Sequence, residues 1–102
     1  MNYKVYIRKD AKKDIADIFH YIKYTLQSPD AAMNIVEKIE ESIMGLNFMP
    51  ERFEMLGLEG SNYKNIRKLI VKNYIIVYKV IKKECRVDVL RVFYSKRNIS
   101  SI

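Results

Sequence analysis

One cysteine, one histidine and three glycines stand among the 102 residues, and each scarcity closes off a class of chemistry. The lone thiol, Cys85, cannot form an internal disulfide and fits a reducing compartment, so a cytoplasmic protein is expected. It falls in a predicted turn with no histidine near it in sequence, and it reads as a spare surface thiol, not a nucleophile. A single histidine beside a single cysteine cannot furnish a dedicated zinc site, so no metal and no cofactor are expected. Gly45, Gly57 and Gly60 cannot build a phosphate cradle of the P-loop or dinucleotide kind. No apolar run approaches the ~20 residues of a membrane span. The opening MNYKVYIRKD lacks the apolar core of a signal peptide, and no membrane association is expected. Repeats, low-complexity stretches and linkers are absent as well.

What is present is a chain with 49% apolar residues, which excludes intrinsic disorder, and of a length that suits one domain over 1–102. Its charge is unevenly spread. Residues 63–102 carry eleven Lys and Arg against Glu84 and Asp88, a net of +9, whereas residues 1–62 sum to −2. A basic half of this kind suits a polyanion or an acidic partner. Lys79, Lys82 and Lys83 read equally well as groups solvating a sheet face; Arg67 and Arg91, set inside apolar runs, do not.

Taken in order, Asn2–Arg8 alternates Tyr3, Val5 and Ile7 with polar neighbours, the pattern of a half-buried strand. Asp10 is placed to cap a helix reaching Gln27, with Ala11, Ile15, Ile18, Phe19, Ile22 and Leu26 on one stripe and His20 on the wet side. Ser28-Pro29 is a second start signal. The helix it opens runs to about Leu46, turning Ala32, Ile35, Val36, Ile39, Ile43 and Leu46 inward. Two amphipathic helices so closely joined fold back as a hairpin with both stripes against one sheet. Residues 47–62 lack periodicity; Phe48, Phe53, Leu56 and Leu58 are expected to tack them to the core. Glu51, Glu54 and Glu59 in this segment read as solvated loop carboxylates that could also serve as a general base. Three runs follow, Ile66–Val71, Tyr74–Ile81 and Arg86–Tyr94, separated by short polar breaks as in an antiparallel meander. Tyr78 reads as a packing residue with its hydroxyl at an edge. On the last run Leu90, Val92 and Tyr94 are expected on one face, with Val87, Val89, Arg91 and Phe93 on the other. The order β-α-α-β-β-β predicts an α+β fold, a small antiparallel sheet with a helical hairpin packed on one face.

Several segments in this order carry a family resemblance. They are Ala-Lys-Lys-Asp-Ile-Ala-Asp-Ile (11–18), Pro-Glu-Arg-Phe (50–53), Ile66-Arg67-Lys68, Tyr74–Val80, and Val87–Asn98 with its Arg-Val-Phe-Tyr-Ser-Lys-Arg core. Together they resemble the RelE/ParE superfamily of bacterial toxins from type II toxin–antitoxin (plasmid addiction) modules, over essentially the whole chain. The resemblance implies a functional surface at Arg67, Arg91, Tyr94 and Arg97, flanked by Tyr63, Lys64, Lys68 and Lys96 for nucleic-acid or partner binding. It also implies a cognate acidic antitoxin as partner. Members with the RelE activity cut messenger RNA on the ribosome without a metal; members with the ParE activity poison DNA gyrase. The long hairpin and the Arg-Val-Phe-Tyr-x-x-Arg-Asn ending look more ParE-like. If the chain were a ribonuclease, the arginines would neutralise the scissile phosphate, and Tyr94 or a loop glutamate would activate the 2′-hydroxyl. A non-toxic basic nucleic-acid-binding module is the third possibility.

Overall fold

Alternation builds the first element. In the computed structural model, which describes residues 2–56 and 65–95, β1 (Lys4–Ile7) turns Val5 and Ile7 toward the core and Lys4 and Tyr6 toward solvent. The chain passes straight into α1 (Lys9–His20), whose N-cap is Arg8, so Asp10 lies inside the first turn instead of capping it. There its charge still complements the helix N-terminus.

The stripe expected as far as Leu26 breaks before it. Beyond His20 the helix widens into a π turn, Tyr21–Thr25, closed by hydrogen bonds from Leu26 N to Tyr21 O (3.1 Å) and from Ser28 N to Ile22 O (3.0 Å). The extra residue in the turn rotates everything after it. Ile22 stays buried, while Leu26 is carried out to 55% exposure and Gln27 takes a left-handed φ of 53°.

The second helix, α2 (Pro29–Met44), starts at the Ser28-Pro29 signal, although the Ser28 hydroxyl makes no capping bond. A 3-10 turn, Gly45–Asn47, extends it and buries Leu46. Arg52 then donates to the carbonyls of Phe48, Met49 and Gly45, closing the helix end and fixing the Pro50–Arg52 turn. Phe53 packs against the core, but Phe48 is exposed and bridges Asn2. Leu58 and Glu59 lie outside the described residues.

The meander β2 (Ile66–Val71), β3 (Tyr74–Ile81) and β4 (Arg86–Tyr94) is antiparallel as its short turns require. β1 adds to the far side of β4 in parallel, giving a mixed sheet of order β1-β4-β3-β2. A parallel neighbour needs a long connection, and the whole chain between them supplies it. The helical hairpin covers one face. Ala11, Ile15, Ile39, Ile43 and Leu46 meet Leu69, Ile76, Tyr78, Val80, Val87, Val89 and Val92 in one core.

A bulge settles the faces of β4. Tyr78 pairs with Val89 and Val77 with Arg91, leaving Leu90 as an extra residue between them. Period two is thereby shifted by one. Val87 and Val89 before the bulge and Val92 after it all join the core, so the expected grouping of Leu90 with Val92 and Tyr94 is replaced. Among the described residues no helix packs on the sheet's other face.

Candidate functional site

The uncovered face reads as rows running across the strands. Ile70, Ile75 and Phe93 form one row, and Lys68, Val77 and Arg91 form the next. Ile70 is 60% exposed. Ile75 and Phe93 are half-buried, so this face carries an apolar band, most open at Ile70, with a cation at each end of the adjoining row.

Arg67 points the other way. It shares the helix-side face with Tyr78 and Leu69, since strand residues alternate. Its guanidinium donates to Phe53 O at 2.7 Å and lies 3.9 Å from Glu51, which also meets Lys82 at 3.5 Å. Tyr78, fully buried, donates its hydroxyl to Pro50 O at 2.6 Å, so it lies beneath the loop and not at an edge. Arg67 and Tyr78 together pin residues 50–53 onto the sheet. Lys68, on the open face, pairs with Glu54 at 3.7 Å. Both described loop glutamates, Glu51 and Glu54, are therefore engaged with cations.

Arg91 is also engaged. Its Nε and Nη2 donate to the Asp14 carboxylate at 2.7 and 3.0 Å, and the backbone N–H of Val92 donates to the same group at 2.9 Å. Tyr94 is on the helix side, its ring 5.4 Å from that of Tyr74. The register puts Arg67 beside Tyr78 and Tyr94 beside Tyr74, four positions along β3. That is about 13 Å at ~3.3 Å per residue. The structure therefore brings Lys68 and Arg91 onto one face and sets Arg67 and Tyr94 apart on the other. Arg97, Tyr63, Lys64 and Lys96 lie outside the described residues. Tyr74 and Tyr94 line a groove of about 960 Å³ beside Tyr21, Leu26, Asp14 and Asp17, where the π turn faces the end of the sheet. Among the described residues no group of His, Cys, Asp and Glu could hold a metal ion. No described helix is long and apolar enough to cross a membrane.

A family model for the ParE toxin of the type II toxin–antitoxin system, parDE, matches residues 5–99. The chain belongs to the ParE toxin family. Its fold is that of several solved toxins. The structure described as the chromosomal ParDE system from P. aeruginosa superposes with a TM-score of 0.70 at 19% identity, covering 90% of this chain and 95% of that one. A mutant of E. coli RelE in the free state gives 0.64 at 19% identity, covering 99% and 93%. The archaeal RelE–RelB complex from Pyrococcus horikoshii gives 0.62 at 22%, covering 95% and 99%. At these identities the likeness is one of fold. No curated protein sequence matches significantly.

Two features of this ParE-family toxin escape sequence reasoning. Asp14 shows only as one acid among several on the polar side of α1, and its partner is 77 positions away. The row Ile70–Ile75–Phe93 needs the register of three strands before it becomes a row at all.

Tyrosine chemistry here runs away from base catalysis. Burial, with Tyr94 and Tyr21 nearby, pushes Tyr74 up. Burial also pushes Tyr78 up to about 12, against the lowering influence of Arg67 and Arg52. A phenol whose folded pKa exceeds its unfolded value of 10.0 stabilises the fold below that pH and loses the effect as pH rises toward about 12. Tyr78→Phe should cost about 1–2 kcal/mol at pH 7 through the unpaired Pro50 carbonyl. In paired urea titrations the deficit should shrink between pH 10 and pH 12. A deficit constant over that window would refute the buried-phenol assignment.

Proposed function

We propose that this toxin arrests growth by protein contact with DNA gyrase, through the sheet face opposite its helical hairpin. The observation that carries this reading is the row Ile70–Ile75–Phe93, an apolar band with Ile70 exposed and Ile75 and Phe93 half-buried, beside Lys68 and Arg91. A contiguous apolar patch with a charged rim has the composition of a protein interface, with burial at its centre and polar contacts around it. A cleft built to cut RNA needs cations and a base converging on one phosphate. Here Arg67 faces the loop 50–53 and Tyr94 packs on Tyr74, on the face opposite Arg91 and Lys68, so these groups do not converge. Arg91 and Lys68 are the rim contacts of the proposed surface. Lys96 and Arg97 follow it in sequence, and Tyr63 and Lys64 precede β2.

The same reading includes a cognate acidic antitoxin. A toxin has to be kept silent, and a net of +9 over residues 63–102 provides the complementary charge for its inhibitor. Induction of the toxin in cells without an antitoxin tests the target. We expect DNA breaks and a DNA-damage response with transcripts intact. Codon-phased cleavage of messenger RNA on translating ribosomes, without DNA damage, would overturn the gyrase reading in favour of a metal-free ribonuclease. Neither effect from a folded toxin would leave a plain nucleic-acid-binding module.

A further inference from the structure

We propose that Asp14 is the positioning residue of the target-binding face, holding Arg91 at its rim with the guanidinium already oriented. This inference rests on the reading of that face as the docking surface.

The need for such a residue follows from the topology. β1 ends at Ile7, pairing only with Arg86–Val89, so β4 loses its outer neighbour where the Leu90 bulge begins. The last strand bond on that side runs from Arg8 N to Val89 O at 2.9 Å. Past it, the N–H of Val92 points at an edge with no strand beyond. α1 lies alongside, and Asp14, one turn into it, fills the place of the missing strand by accepting from Val92 N.

The same carboxylate takes Arg91 through two adjacent donors, Nε and Nη2. Exposure shows which partner is the anchor. The Asp14 side chain is 13% exposed and that of Arg91 is 54% exposed. The acid is built into the protein, while the far edge of the guanidinium, with Nη1, has no bond to any described residue and faces solvent. A planar fork clamped along one side presents its remaining donors in one direction. A flexible arginine would have to be ordered on docking; here the ordering is met in the folded state. Arg91 stands in the row beside Ile75 and Phe93, so its open edge borders the apolar band.

The test uses the full chain, expressed without antitoxin, as wild type, Asp14→Asn, Arg91→Ala and the double variant. Three readings are taken: thermal melting, the Arg91 Nε–H signal by NMR, and the toxin level needed to arrest growth. Asn at 14 keeps an acceptor for Val92 N and removes the charge. It should melt within a few degrees of wild type, lose the protected Arg91 signal, and require about tenfold more toxin, the scale of one charged hydrogen bond. Arg91→Ala should lose a similar amount, and the double variant no more than either. Full potency of Asp14→Asn beside a crippled Arg91→Ala would overturn the positioning role alone. So would losses that multiply in the double variant. Full potency of Arg91→Ala would overturn the docking face and this inference together. Should Asp14→Asn fail to fold, Asp14→Glu, which keeps the charge but moves the carboxylate by one carbon, is judged by the same outcomes.

Discussion

Phe93→Glu should yield a folded toxin that no longer arrests growth. Phe93 ends the row that begins at Ile70 and passes through Ile75, on the face opposite the helical hairpin. Phe93 is half-buried, so a carboxylate there keeps access to water, and the fold should lose about 1–2 kcal/mol. Docking suffers differently. An aromatic buried in an interface contributes about 2–4 kcal/mol, and a charge in its place must be stripped of water against apolar surface. Binding to the proposed gyrase target should weaken by roughly two orders of magnitude or more. Ile75→Glu should behave alike, whereas Lys79→Glu, one row beyond Arg91, should act mainly through the salt dependence of association. Unchanged potency from a folded Phe93→Glu toxin would remove the apolar row from the mechanism.

Ile39→Asp is expected to abolish folding. Ile39 is fully buried in α2, at the centre of the cluster formed by Ala11, Ile15, Ile43 and Leu46 against the sheet. The change removes an isoleucine worth about 2–3 kcal/mol of burial and sets an unpaired carboxylate in its place. The combined cost of roughly 4–5 kcal/mol or more is comparable with the whole stability of a small domain, about 5–15 kcal/mol. Circular dichroism should show no cooperative melting transition, and the purified chain should aggregate. Ile39→Val, with one methylene fewer, should cost only about 1 kcal/mol and keep the transition. A cooperative Ile39→Asp unfolding curve at the wild-type temperature would refute the burial of that helix face.

What is local was legible from the residues alone. Period two in Tyr3-Val5-Ile7, helical spacing in Ile35–Ile43, Ser28-Pro29 at a helix start and the Lys72-Asn73 break all act within a few residues, so strands, helices and turns could be placed from them. The segments from Ala11 to Arg97 were distinctive enough to suggest the toxin superfamily, and the family match agrees. The rest follows from packing, because each remaining feature depends on residues far apart in the chain. One extra residue in the Tyr21–Thr25 turn took Leu26 out of the stripe, and one at Leu90 moved Val92 onto the core side. Neither leaves a mark in composition or spacing. The parallel partner of β1 lies some eighty residues away, chosen by the sheet and not by any turn. The arginines show the limit most clearly: inside apolar runs Arg67 and Arg91 look alike. Packing sends the first to the Phe53 carbonyl beneath a loop and leaves the second on the open face, held by an aspartate from the first helix. A side chain's type sets which partners it can take; only the folded chain sets which one is within reach.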